Sequence, residues 1–335
     1  MEHYTAPAVA AGLEFTPPTQ RAQDAIAAAI ARRDAPGKHV FASEKPIANE
    51  DGETERLPGG TTVTHRFVDG PGDMETVRWH FVEAGTSDKP VVVFLHGIPD
   101  SWYLFHHQIT DLAADFRVLS IDLKGYGQSE KSPGDYRHVG VADQLVGLLD
   151  VLGIERPSFV THDRGGPIVD YLASRHPERI HKYVRGEQQL WHWHPDVSPQ
   201  EKWFTDLDHN PFGDPAELVS NLHAILSTRP VAEEDVRRTI REASHPGIKW
   251  AVPRYFQSTT IKKEWIDRRL DLIRTWQCPI LVLQGYEDPF QPYEYFEDIE
   301  KHIPNSRLAF VGAGHFPPLE NPGETSEKIA AFLAG

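Results

Sequence analysis

The 335-residue chain has one cysteine, Cys278, and far fewer basic than acidic residues, 34 against 49. A single thiol excludes an internal disulfide and fits a reducing cytosol. The net charge of −15 excludes nucleic acid and anionic membranes as partners, because the summed field repels phosphate, and leaves a small-molecule substrate as the expectation. No apolar run approaches the ~20 residues that span a bilayer, and the first residues lack the basic start and apolar stretch of a secretory signal, so a cytoplasmic protein is expected. The 18 histidines show no tight ligand spacing, and no phosphate-cradling glycine loop is present, so neither metal nor cofactor is expected.

What is present is an alternation. After a helix at Gln20 to Arg33, flanked by Pro17-Pro18 and Pro36-Gly37, strands are predicted at Thr62 to Val68, Val77 to Glu83 and Pro90 to Leu95. Strand Arg117 to Ile121, helix Val139 to Leu152, strand Ser158 to Thr161, helix Pro167 to Ser174 and strand Lys182 to Val184 follow. Continuous apolar strands alternating with helices mean an α/β fold with a mostly parallel sheet covered on both faces. The rhythm stops from about Gln188 to Trp276, where helical patches occur at Ala216 to Leu226 and Glu233 to Ala243 without a strand. It resumes at Pro279 to Leu283 and ends with strand Arg307 to Val311 and helix Glu324 to Leu333. The expected organisation is an N-terminal extension (1–60), a core (61–187 and 277–335) and an inserted helical cap (188–276) acting as a lid. Whether the N-terminal helix packs on the main domain or on a second subunit of a homodimer is open.

The richest segment is Val160-Thr161-His162-Asp163-Arg164-Gly165-Gly166. An apolar strand runs into it and a helix leaves it, so Asp163 falls on a sharp strand-to-helix turn, where glycine is needed because the backbone is strained and closely approached. Such an elbow presents a nucleophile. A carboxylate there is poorly suited to amides or esters, since the resulting anhydride reverses readily, but it displaces a leaving group from saturated carbon to give an alkyl ester.

The elbow, His96-Gly97-Ile98-Pro99-Asp100-Ser101-Trp102-Tyr103 and Asp122-Leu123-Lys124-Gly125-Tyr126-Gly127-Gln128-Ser129 together resemble the Asp-nucleophile branch of the α/β-hydrolase fold. That branch contains epoxide hydrolases and haloalkane and haloacid dehalogenases, and the match is nearest to soluble epoxide hydrolases. The resemblance runs from about Val77 to the C-terminus. It implies Asp163 as nucleophile, the backbone amides of Ile98 and Arg164 as oxyanion hole, and His315, in Gly312-Ala313-Gly314-His315-Phe316, as the base that activates water. Asp288, in Gly285-Tyr286-Glu287-Asp288-Pro289, would orient that base.

The chain also departs from its relatives. Epoxide hydrolases usually carry two lid tyrosines that protonate the opening oxygen; Tyr255 matches the second, whereas Phe204 stands at the first, leaving His192, His194 and His209 as candidate helpers. Haloalkane dehalogenases place Trp after the nucleophile, where this chain has Arg164. Fluoroacetate-type dehalogenases do have Asp-Arg-Gly-Gly, with the Arg gripping a substrate carboxylate, but Pro167 replaces their second Arg. Substrate contacts are expected from Arg164, Phe204, Trp203, His192 and Trp102, out of a wider aromatic set that includes Trp191, Trp193, Trp250 and Phe256. The leading expectation is a cofactor-free epoxide hydrolase with Tyr255 as acid. The alternatives are a hydrolytic dehalogenase and a binding protein without turnover.

Overall fold

The computed structural model describes residues 13–72, 75–205, 209–303 and 305–335. Among them nine strands form one sheet in the order β1-β2-β3-β5-β4-β6-β7-β8-β9. They are β1 (Thr54–Arg56), β2 (Thr62–Pro71), β3 (Thr76–Ala84), β4 (Val91–Leu95), β5 (Arg117–Ile121), β6 (Ser158–His162), β7 (Tyr183–Gly186), β8 (Ile280–Gly285) and β9 (Ser306–Val311). The pairs β1–β2, β2–β3 and β3–β5 are antiparallel; from β5 to β9 all neighbours are parallel. The strands β6, β7 and β8 are buried at every residue, so they lack the regular in–out polar alternation of a half-exposed strand. The sheet begins inside the stretch expected to be an extension. Strand β1 is Thr-Glu-Arg, half-exposed or exposed throughout, so it carries no apolar alternation by which sequence could reveal it.

Chain order reverses at β4. The connection from β4 leads to β5 on one side and the chain then returns to β6 on the other, so the loops leaving β4 and β6 diverge from neighbouring strand ends and open a crevice between them. Asp163 follows β6 and His96 follows β4, which puts both sequence motifs at that crevice.

Between β7 and β8 the described residues form helices only, among them Pro215–Leu226, Glu233–Ala243, Pro253–Ser258 and Ile261–Asp267. The helix Pro215–Leu226 starts where sequence signals say it should: Asp214 Oδ1 accepts from the Glu217 amide at 3.0 Å, and Pro215 occupies the first turn. The N-terminal helix, Gln20–Asp34, lies on this insertion: Arg32 donates through Nε to the Ala224 carbonyl and through Nη2 to the Ile225 carbonyl, each at 3.0 Å. Those carbonyls belong to the last turn of Pro215–Leu226, where a cation is favoured. None of the described helices is long and apolar enough to cross a membrane.

A buried ionic knot joins the insertion to the sheet. Asp170, on the helix Gly165–Arg175, accepts from Arg185 Nε and Nη2, both at 2.9 Å, from the Tyr183 hydroxyl at 3.1 Å and from Arg268 at 3.4 Å. Arg185 in turn donates to the carbonyls of Gln188 (2.6 Å) and Gln189 (3.2 Å), setting the backbone that follows β7. Asp170→Ala should cost about 3–5 kcal/mol, because it strands two buried guanidinium groups without a counter-charge. A urea unfolding midpoint close to that of the parent protein would refute this.

Candidate active site

Asp163 takes φ +43°, one of two non-glycine residues with positive φ among those described. The turn is closed by the Gly166 amide donating to the Asp163 carbonyl at 2.9 Å. It also requires glycine at two neighbouring positions. A Cβ on Gly97 would lie 2.5 Å from the Asp163 Cβ and 2.7 Å from the Arg164 nitrogen, and one on Gly165 would lie 2.4 Å from the Leu95 carbonyl oxygen. The β4 loop therefore passes directly over the elbow. The Ile98 amide donates to Asp163 Oδ2 at 3.0 Å, with the Arg164 amide beside it facing Gly97. Asp163 Oδ1 accepts from Gln188 Nε2 at 3.0 Å. The loop is held by His96, whose Nε2 accepts from the Leu123 amide (3.0 Å) and whose Nδ1 donates to the Gly97 carbonyl (2.8 Å); burial keeps this imidazole neutral by lowering its pKa.

His315 reaches the same cavity from the loop after β9. Its Nδ1 contacts Asp288 Oδ2 at 2.6 Å. Burial disfavours the imidazolium, but the Asp288 carboxylate, followed by Asp163 and Asp100, outweighs that and holds His315 up at about 9. The loop is shaped by Glu320, which accepts from the amides of Gly314 (2.9 Å), Phe316 (2.9 Å), Thr228 (2.8 Å) and Arg229 (2.9 Å).

Two further carboxyl groups, not singled out by sequence, complete the electrostatics. Glu187 follows β7 at φ +53°. Its Oε2 lies 4.0 Å from His315 Nδ1, and it accepts from the Gly285 amide at 2.5 Å and from Gln284 Nε2 at 2.5 Å. Burial, reinforced by the neighbouring Asp288, pushes its pKa well above the carboxylate range. Asp100 is buried; burial pushes it up to about 8, with His315 and Thr239 opposing and Asp163 adding. The signals for both were positional, one directly after a strand and one two residues beyond Ile98, and neither forms a motif alone.

The cavity is lined by Ile98, Asp163, Arg164, Gln188, Phe204, Leu222, Leu226, Phe256, Ile261, Phe290, Gln291 and His315. Of the expected residues it thus gathers Asp163, Ile98, Arg164, Phe204 and His315, with Asp288 hydrogen-bonded behind His315. The others lie elsewhere. The Tyr255 hydroxyl donates to the Lys124 carbonyl at 2.9 Å, and its ring is buried against Tyr136 and His138, so the expected acid is turned from the cavity. Trp102 packs fully buried between His65 and Arg238. His192 bonds Thr16 (2.7 Å) and Asp298 (2.9 Å), and His194 caps a short turn at Asp196. Trp203 and His209 line a neighbouring cavity. Arg164 lines the cavity, but its guanidinium is already paired. It donates to both oxygens of buried Glu264, at 3.0 and 2.7 Å. Although burial opposes the charge, Arg164 and His138 hold the Glu264 carboxyl far below its ordinary range. The pair was invisible in sequence because its members are 100 positions apart.

A profile of the family described as alpha/beta hydrolase fold matches residues 90–218. Epoxide hydrolase 4 of Mus musculus is 34% identical over 284 residues, covering 77% of this chain and 76% of that protein. Bifunctional epoxide hydrolase 2 of Rattus norvegicus is 39% identical over 316 residues, covering 81% of this chain; the chain spans about half, 55%, of that longer relative. An epoxide hydrolase from Bacillus megaterium, solved with an inhibitor, superposes with a TM-score of 0.69 at 23% identity over 81% of this chain and 100% of its own, which is a likeness of fold. The chain belongs to the α/β-hydrolase family and, within it, is an epoxide hydrolase-like enzyme.

Proposed function

We propose that this protein hydrolyses epoxides to vicinal diols through an ester on Asp163, with residues 188–276 as the lid. One observation carries the reading: a carboxylate on a positive-φ elbow, hydrogen-bonded to the Ile98 amide, shares its cavity with a His315–Asp288 pair. The identity to proteins named epoxide hydrolases supports the substrate class.

The reaction balances without a cofactor. An Asp163 oxygen attacks an epoxide carbon, the ring C–O bond breaks, and the opening oxygen takes a proton. That proton is assigned to Tyr126, which like Tyr255 stands outside the residues lining the cavity but feels the charge of Asp163. Its buried hydroxyl has no partner among the described residues, whereas that of Tyr255, 6.1 Å away ring to ring, is engaged. Burial first, then the charge of Asp163, raises the Tyr126 pKa, so the phenol is protonated at rest. Esterification removes the Asp163 charge, one of the charges holding the His315 imidazolium, which then returns a proton to Tyr126 and becomes a neutral base. It takes a proton from water as the water attacks the Asp163 carbonyl carbon. The oxyanion forms at the Ile98 and Arg164 amides, where each donor is typically worth about 2.7–4 kcal/mol. The Asp163 acyl C–O bond then breaks, the departing alkoxide takes the proton of the newly formed Asp163 carboxylic acid, and the diol leaves with the carboxylate regenerated.

A haloacid substrate is disfavoured by Arg164, whose charge is already matched by Glu264 at short range. A binding protein without turnover would have no need of a strained carboxylate beside a base.

Asp163→Asn should abolish diol formation from styrene oxide, and His315→Gln should accumulate an alkyl-enzyme adduct detectable by intact mass. An active Asp163→Asn variant, or release of halide from haloacetates in place of diol, would overturn the reading. Tyr126→Phe should slow adduct formation by about 10²-fold or more, and Tyr255→Phe should not; the reverse order would return the proton to Tyr255. In single turnover, adduct hydrolysis should rise with pH through a midpoint below the value of about 9 that His315 shows at rest, because the ester lacks the Asp163 charge. A rate flat across that range would exclude His315 as base.

A further inference from the structure

Three side chains that take no part in lining the catalytic cavity meet at one point. His192, among the first residues after β7, turns Nε2 to Asp298 Oδ1 at 2.9 Å, and His302 turns Nε2 to Asp298 Oδ2 at 3.0 Å. Asp298 and His302 stand at the two ends of the short helix Ile299–His302 that precedes β9. Histidine spacing conceals the group, because 106 positions separate His192 from Asp298.

Both imidazoles are oriented from behind. Thr16 Oγ1 meets His192 Nδ1 at 2.7 Å, which leaves Nε2 as the nitrogen facing the carboxylate. The His302 ring stacks on Trp191 at 4.1 Å between centroids and 11° between planes. Trp191 is pinned in turn: the Arg269 guanidinium lies 3.8 Å over its ring, and its carbonyl accepts from Arg269 Nη1 at 2.7 Å and Trp265 Nε1 at 2.9 Å. The two imidazole planes are 77° apart, so their Nε2 atoms approach the carboxylate from different directions. The side chains of His192, Asp298 and His302 are 20%, 34% and 26% exposed, which leaves one side of the group open to water.

Two imidazole nitrogens and one carboxylate are the donor set of a borderline divalent ion such as Zn²⁺, whereas magnesium and calcium take oxygen donors. Such an ion sits about 2.0–2.2 Å from each donor, which holds the donors roughly 3–3.5 Å apart. The two N–O contacts are close to that, and all three donor atoms lie within 4.8 Å of one another, so a small closing of the imidazoles completes the arrangement. The chain's net charge of −15 favours a cation as visitor. Of the other two His and carboxylate groups this tight among the described residues, Glu187–Asp288–His315 belongs to the Asp163 cavity. In the last, His106 and His107 lie 3.3 and 3.8 Å from Asp235, which also accepts from the Tyr103 hydroxyl.

We propose that His192, Asp298 and His302 bind one divalent transition-metal ion of the zinc type, with water completing its shell on the open side. The ion ties the start of the insertion to the helix before β9. It does so beneath the N-terminal arm leading into helix Gln20–Asp34, where the Thr16 amide donates to the Trp193 carbonyl at 3.0 Å and the Thr16 carbonyl accepts from the Tyr295 hydroxyl at 2.5 Å. Its role is that of a staple, independent of the chemistry at Asp163.

Calorimetric titration of the full chain with Zn²⁺, after stripping with a chelator and transfer to chelator-free buffer, should show one ion bound per chain. Co²⁺ in its place should give the visible absorption of a four-coordinate site. His302→Gln and Asp298→Asn, both changes at partly exposed positions, should each weaken Zn²⁺ by about a hundredfold, while His107→Gln leaves the affinity unchanged. Zn²⁺ should raise the thermal midpoint of the parent protein and not that of His302→Gln. Circular dichroism of the two ligand variants, read without metal, separates loss of the ion from loss of the fold. The site is overturned by absence of saturable binding in the parent, by binding that persists in both folded ligand variants, or by loss of binding in His107→Gln.

Discussion

The approach of two loops at the sheet's reversal point governs everything above it. For the Ile98 amide to reach Asp163 Oδ2 at 3.0 Å, the backbone after β4 must cross the elbow after β6 closely enough that neither Gly97 nor Gly165 could carry a Cβ. The elbow holds a non-glycine residue at φ +43°, a conformation costing roughly 1–2 kcal/mol. It persists because the parallel strands on either side set where both loops leave the sheet. The strain places the carboxylate outside the helix and strand that carry it, where an incoming molecule can meet it.

Charge is the second constraint. Asp163, Asp288, Glu187 and Asp100 all act on or lie close to one imidazole, and four adjacent anions, three of them buried, could not coexist. Burial resolves this by raising Glu187 and Asp100 above their ordinary range, while His315 at about 9 supplies the positive partner for the remaining two. In the proposed reaction this balance changes at one point only, when Asp163 becomes an ester, and that change converts a resting cation into a base. The strong charge of Arg164 is kept out of the balance by its bidentate pairing with Glu264.

The insertion and the N-terminal arm are held to the sheet and to each other. Buried Asp170 ties the insertion to the sheet through Arg268 and Arg185, and Arg185 orients the backbone of Gln188, whose side chain bonds Asp163. Arg32 ties the arm to the insertion. Shape around Asp163 is therefore maintained by ionic contacts among segments far apart in the chain.

Sequence by itself determined the elements whose signal is local. Arg117–Ile121 and Glu233–Ala243 have the bounds that their apolar patterns indicated, and the Asp163 elbow, the His96–Pro99 loop and the position of His315 were legible because glycine spacing and strand order are written in consecutive residues. Tertiary structure alone decided which polar groups meet. Tyr255 matched a family position, yet its hydroxyl bonds the Lys124 carbonyl; Arg164 could have gripped a substrate or joined a salt bridge, and packing against Glu264 decided for the second; Glu187 lay outside every motif and Asp100 inside one without an assigned role, yet burial made them part of the site. The reason is physical: helix and strand preferences arise from neighbours a few residues apart, whereas hydrogen-bond partners and the desolvation of a charge depend on groups that only packing brings together.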